Sequence, residues 1–220
     1  MYIRKIGCFF SLLLVVKFSL SQVPVREEPR HHVALQNQYL RLLDVRLPPG
    51  DTTFFHVHEI PSLFLVLSKT LTSSQVKGEE WVNGTFTSEP GYSWYNGFTT
   101  GPLIHRVANI DTVPFHVMDI EILSNYNAHL AQLPFDTIYT NEKAFAYRIN
   151  FENKEEKKQI EDRGPIAAIV VSGPGITVHF ANNKTENVSQ GKFIFIESKT
   201  KCWFQNIGND ETKVVLFELR

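Results

Sequence analysis

Cysteine is almost missing from this chain, with two in 220 residues, Cys8 and Cys202. Long apolar runs are scarce as well, and the only leader-like one, Ile6 to Val16, is short for a bilayer span and is closed by Lys17. Arg4 and Lys5 precede it, and Ser19-Leu20-Ser21 supplies small residues at −3 and −1 of a cleavage point before Gln22. The pattern predicts a cleaved export signal over residues 1–21 rather than a membrane anchor. Cys8 starts the apolar run instead of ending it, which argues against a lipid-modified cysteine. Only Cys202 then remains, so no intramolecular disulfide forms and the core alone must hold the fold. A basic surplus is lacking too. Removal of Arg4, Lys5 and Lys17 leaves 19 basic against 23 acidic groups, a net charge of −4. That argues against nucleic acid and anionic membrane surfaces as partners. No phosphate-cradling glycine loop and no Gly-x-Ser-x-Gly occurs, so nucleotide chemistry and serine hydrolysis have no support.

Helical periodicity is nearly absent. Short runs rich in Val, Ile, Phe, Tyr and Leu fill the chain instead, at 39–46, 52–58, 62–68, 80–87, 103–110 and 114–123. Pro-Gly, Asn-Gly and Gly-Pro punctuate them, which predicts an all-β sandwich or barrel. A second series follows at 144–151, 165–172, 176–180, 192–198, 201–206 and 212–219. The segment 125–140 interrupts the pattern and reads as a linker. Pro61–Ser68 aligns with Pro165–Ser172 at an offset of 104, and His105-x-x-x-Asn109 with Cys202-x-x-x-Asn206 at 97. A tandem duplication with one shorter loop explains both offsets; the general likeness of β strands is the other explanation.

Two phrases carry the chemistry. The first runs from Gly50 to His56-Val57-His58, after the turn Pro48-Pro49-Gly50. Residues two apart on a strand share a face, so His56 and His58 point together, with Phe54 beside them and Glu59 turned away. The second is His105-Arg-Val-Ala-Asn109. A third imidazole from that later strand would complete a cap for one divalent metal with open positions.

In these phrases the chain resembles the cupin superfamily, whose first motif is Gly, five residues, His-x-His, three or four residues, Glu, six residues, Gly. Gly50, His56 and His58 match it, and His105 with Asn109 match the end of the second motif. The expected Glu positions hold Ser62 and Leu63, and Pro90-Gly91 lies too far from His105 without a long loop. The resemblance implies two double-stranded β-helix (jelly-roll) barrels in tandem. The expected division is an N-terminal barrel at 22–124 with the metal site, a linker at 125–140, and a C-terminal barrel at 141–220. Cupin dioxygenases with three histidines exist, so loss of the carboxylate leaves a site but not the metal's identity; Fe, Mn, Ni, Cu and Zn all accept imidazole. A metal-free remnant is the alternative.

The second half places Ile160, Asp162 and Cys202 where the first has His56, His58 and His105. Those residues make a poor cap, so this half is expected to be structural, or a dimer surface. Cys202 reads as a half-buried small hydrophobe or a reactive thiol. His31-His32 reads as an exposed lead-in, or as a further metal contact. His116 and His179 read as hydrogen-bonded barrel residues. Tyr92, Trp94 and Tyr95 could wall a pocket or pack as core, and Ser62 and Tyr95 are candidates for groups supporting the metal.

The functional expectation is an exported metal-binding protein acting on a small molecule, in the manner of a dioxygenase. A non-catalytic ligand binder and a homodimerisation scaffold are the rivals. Asn83-Gly-Thr, Asn183-Lys-Thr and Asn187-Val-Ser are glycosylation triplets in a eukaryotic secretory pathway; export to a periplasm fits the lack of disulfides better.

Overall fold

A computed structural model describes residues 22–124, 126 and 128–220. The expected export signal at 1–21 lies outside the described residues. The first half contains β1 (Val23–Pro24), a 3-10 turn (Val25–Glu27), β2 (His31–Gln36), β3 (Leu40–Leu47), β4 (His56–His58) and β5 (Ser62–Val66). It continues with β6 (Leu71–Val76), β7 (Val82–Phe86), β8 (Ser93–Asn96), β9 (Leu103–Asn109) and β10 (Phe115–Ile122). The second half holds β11 (Asp136–Thr140), β12 (Ala144–Phe151), β13 (Lys157–Ile160), β14 (Ile166–Ser172) and β15 (Ile176–Phe180). It ends with β16 (Thr185–Val188), β17 (Phe193–Ile196), β18 (Cys202–Asn206) and β19 (Thr212–Leu219).

Each half is a jelly-roll barrel of two sheets. The first has β1-β4-β9-β6-β7 facing β2-β3-β10-β5-β8; the second has β13-β18-β15-β16 facing β11-β12-β19-β14-β17. The strands of the two inner sheets read as nearly unbroken apolar runs because both their faces are buried. On β3, Leu43, Val45 and Leu47 point into the first barrel, while Leu40 and Leu42 meet the other half. On β12, Phe145, Tyr147, Ile149 and Phe151 fill the second barrel, while Ala144 and Ala146 face the first. The two sheets thus pack back to back through Leu63, Leu65, Ile120, Ile169 and Phe217, all buried.

Register confirms the internal repeat residue by residue. His56 pairs with His105 as Ile160 pairs with Cys202, and Thr72 with Asn109 as Ile176 with Asn206. Even the bulge in β2, between Val33 and Leu35, recurs in β11 between Thr137 and Tyr139. The change of offset from 104 to 97 is not one shorter loop. The second half lacks one residue within β7, at the bulge opposite Thr72–Ser74, three between β7 and β8, and three between β8 and β9.

The linker expected over 125–140 is also corrected. Asp136–Thr140 is a strand, paired antiparallel with β12, so the second barrel begins before residue 141. Strands with few branched or aromatic residues escaped the sequence pattern, among them β6 (LTSSQV), β13 (KKQI) and β16 (TENV). They form because neighbours supply their ladders, not through their own propensity.

Candidate metal centre

The first barrel is hollow where the second is filled. Its cavity of about 490 Å³ is lined by His31, His56, His58, His105 and Asp119 at one end. At the corresponding positions the second barrel carries Phe135, Ile160, Asp162, Cys202 and Leu216, and all of these but Asp162 pack in or against its apolar core. One scaffold therefore encloses either an open pocket with a polar end or a solid interior, according to these few side chains.

Strand β4 places His56 and His58 inward, 1% and 4% exposed, beside His105 on β9. Ring centres are 4.6 Å apart for His56–His105, 5.0 Å for His56–His58 and 5.1 Å for His58–His105. Three imidazoles at about 2.1 Å from one ion, at right to tetrahedral angles, have ring centres roughly 4.5–5.2 Å apart. The observed triangle fits that requirement. His56 Nε2, His58 Nδ1 and His105 Nε2 are buried without a hydrogen-bond partner, which is costly unless something occupies the space between them. His56 Nδ1 lies 2.9 Å from the Phe54 carbonyl and donates to it, which leaves the lone pair on Nε2.

His31 joins this group, correcting the reading of an exposed lead-in. It is 7% exposed, and its ring centre lies 4.5 Å from that of His56 and 6.2 Å from that of His58. Ligand atoms of His31, His56 and His58 all fall within 4.8 Å of one another, a grouping able to hold a metal ion. The strand β2 is an edge of one sheet and β1 an edge of the other, so the N-terminal segment closes this side of the barrel. The same segment brings Glu28, fully buried, against His31 Nδ1 at 2.8 Å. Glu28 also accepts from the Arg30 amide at 2.7 Å and the Phe54 amide at 3.1 Å. Burial alone would raise its pKa, but these hydrogen bonds prevail and hold the carboxyl below its usual range. A carboxylate on the far nitrogen of an imidazole orients the ring and raises the basicity of its other nitrogen.

Asp119 on β10 was not foreseen from the sequence. It is completely buried, its Oδ2 lies 3.4 Å from His58 Nδ1, and neither oxygen has a hydrogen-bond partner. Burial, then the neighbouring Glu121 charge, raise its pKa well above normal. Burial also pushes His56 down to about 3, His58 to about 2 and His105 to about 4. All three rings are therefore neutral at physiological pH, the protonation state a metal ligand needs. Asp119 has no signature in the sequence, since a lone acid in an apolar strand has no spacing to betray it. His31 was visible only as a bland pair with His32.

The other expected site residues divide. Gly50 holds φ +79° in the turn before the histidine strand, a conformation that favours glycine. Ser62 is buried beside Asp119, and its hydroxyl donates to the Ile60 carbonyl at 2.9 Å. Asn109 does not line the cavity. Its amide donates to the carbonyls of Leu47 and Val113, each at 2.9 Å, tying the strand end to neighbouring loops. Asn206 does the same in the second barrel, bonding the Asp210 carbonyl. Tyr95 turns away from the histidines to the contact between barrels, where its hydroxyl meets Glu142 at 3.4 Å. Trp94, next along β8, does line the cavity, stacked on Phe64 at 4.8 Å, and Tyr92 lies at the rim. Phe54 is half exposed beneath Arg30 because regular strand begins only at His56; Thr53 takes the inward place. His116 bonds Asp44 at 2.8 Å, whereas His179 stacks on Trp203. Cys202 is fully buried with its thiol pushed up to about 11, so it is the small core residue and not a reactive thiol.

No protein-family model and no curated protein sequence matches the chain. Solved structures do match. AerE from Microcystis aeruginosa superposes with a TM-score of 0.56 at 11% identity, over 88% of this chain and 98% of that one. A salicylate 1,2-dioxygenase from Pseudaminobacter salicylatoxidans gives 0.56 at 12% identity, over 82% of this chain and 71% of that one. Ylba from E. coli gives 0.56 at 11% identity, over 82% and 77% respectively. At these identities the likeness is one of fold: two jelly-roll barrels in tandem.

Proposed function

We propose that the first barrel is a metal-binding site acting on a small molecule, with His56, His58 and His105 holding one divalent ion and His31 as a fourth imidazole. The observation that carries this reading is the cluster of four imidazoles at the end of an open cavity: ligand atoms of His31, His56 and His58 lie within 4.8 Å of one another, and the His105 ring packs against those of His56 and His58. A bound ion would supply Lewis-acid or redox chemistry at the face of the cluster that meets the cavity. The chain's own contributions are separable. Glu28 and the Phe54 carbonyl fix the orientation of His31 and His56. The stacked Phe64–Trp94 pair shields one wall from water. Asp119, whose carboxyl burial pushes toward the protonated form, sits beside His58 at 3.4 Å. A dioxygenase-like activity is supported by the shared fold of the salicylate 1,2-dioxygenase, which has been solved with gentisate. The second barrel, with its solid interior, serves as the scaffold against which the first is built.

The test is the metal content of tag-free protein, measured by mass spectrometry beside His56→Ala and His105→Ala. Near-stoichiometric metal in the wild type, lost in both variants, is the expected result. Metal absent from all three overturns the reading in favour of a metal-free ligand binder. We also propose export, on the pattern of residues 1–21; the mature chain then begins at Gln22, which an intact-mass measurement reads directly.

A further inference from the structure

We propose that the cavity of the first barrel selects ligands with an uncharged aromatic or branched-apolar body and turns away those that carry a carboxylate on that body. The inference deepens the proposed function by naming its ligand class, and rests on it only for what happens at the histidine end. Beyond the histidines, the walls are Phe64, Trp94, Val66, Val117, Leu47 and Phe115. Thr72, Ser74, Thr85 and Thr87 add uncharged hydroxyl residues to the lining, with the Thr72 and Thr87 hydroxyls donating to the carbonyls of Thr85 and Ser68. Among the described residues that line it, none is a lysine or an arginine.

The barrel has arginines, and each is engaged elsewhere, Arg26 with Glu27 at 3.4 Å. Arg30 pairs with Asp51 at 2.8 Å and lies over Phe54. Arg41 pairs with Glu121, and Arg46 with Asp44 at 3.0 Å. Arg106 stacks on Phe55 and Trp81 and bonds Gln75 at 2.8 Å. Apart from the imidazoles and the Tyr92 phenol, the one ionisable group among the lining residues is Asp119, itself an acid. A carboxylate placed against these walls, away from the histidine end, loses its hydration and gains no cation, which is strongly unfavourable. An aromatic ring loses nothing of the kind and stacks on the Phe64–Trp94 pair.

The sister barrel shows what keeps the space open. The cross-strand pair Ser74–Val107 corresponds to Val178–Phe204, which lies in the solid core of the second barrel. Thr72 likewise corresponds to Ile176. Placing the sister's residues in the first barrel should therefore plug the cavity within a framework that already tolerates them.

The experiment uses full-length protein freed of metal by chelation, with metal content verified, and a matched pair of probes, 1-naphthol and 1-naphthoate. Binding is read by tryptophan fluorescence, with Trp94→Phe as the control that removes the local signal. The expected result is a Kd for naphthol at least about tenfold below that for naphthoate. Ser74→Val/Val107→Phe should abolish naphthol binding at an unchanged melting temperature; should that pair fail to fold, Thr72→Ile is expected to weaken binding severalfold. Equal or tighter binding of naphthoate, no binding of naphthol at its solubility limit, or undiminished binding in a folded plugged variant overturns the inference. The metal reading stands apart from these outcomes. Stoichiometric metal in untreated protein with no preference between probes sinks only the ligand class, and a tenfold preference in protein that never holds metal sinks only the metal.

Discussion

Metal-free protein should lose stability as pH falls from 7 to 5. His56, His58 and His105 have their pKa values pushed down to about 3, 2 and 4, first of all by burial. In the unfolded chain each returns to about 6.5. Below that value the unfolded chain takes up three protons that the fold refuses, so acid favours unfolding. Each histidine then costs about 2 kcal/mol at pH 5, and the three together about 6 kcal/mol. Asp119 acts in the opposite sense. Its folded pKa is raised well above the ordinary value, so the fold keeps a proton that the unfolded chain releases. Its contribution offsets part of the histidine loss over the same interval. The net change remains a loss, below the histidines' about 6 kcal/mol, to be set against the roughly 5–15 kcal/mol that holds a protein folded. Urea midpoints at pH 7, 6 and 5, followed by circular dichroism after chelation, measure it. In His56→Ala/His58→Ala/His105→Ala the histidine contribution is gone, so the fall in midpoint between pH 7 and pH 5 should be largely lost. A flat wild-type profile, or a triple variant with the same downward slope, would refute the reasoning.

Phe217→Ala removes a fully buried ring from the contact between the barrels, and should cost about 3–5 kcal/mol in urea unfolding, with loss of the single cooperative transition if the halves separate. Glu28→Gln keeps the shape but removes the charge that orients His31. It should weaken metal affinity by about 10–100-fold in a chelator competition, whereas an unchanged affinity would place His31 outside the metal's ligands.

Much of the architecture was legible in the sequence. Inner-sheet strands such as Leu40–Leu47 and Ala144–Phe151 are apolar on both faces and announce themselves. The offsets of 104 and 97 aligned His56 with Ile160 and His105 with Cys202, as the hydrogen-bonded register does. What stayed hidden was polar or short. LTSSQV and TENV carry no alternating pattern, and Asp136–Thr140 was lost in a stretch that looked like a linker.

The candidate site divides along the same line. His-x-His on one strand is a local matter, because the two-residue repeat of β structure puts both rings on one face whatever surrounds them. The approach of His31, Glu28 and Asp119 is not local. Those residues come from an N-terminal edge segment and from the strand β10, and chain folding alone decides that their side chains meet. Tyr95 and Trp94 show the same limit, since neighbours on one strand face opposite sides and only the placement of the second barrel tells which side is cavity and which is contact. The amino-acid sequence by itself determined two repeated β halves and a histidine pair. Tertiary structure decided that one half is hollow and the other solid, because closure of each barrel sets the volume its inward side chains must fill or leave open.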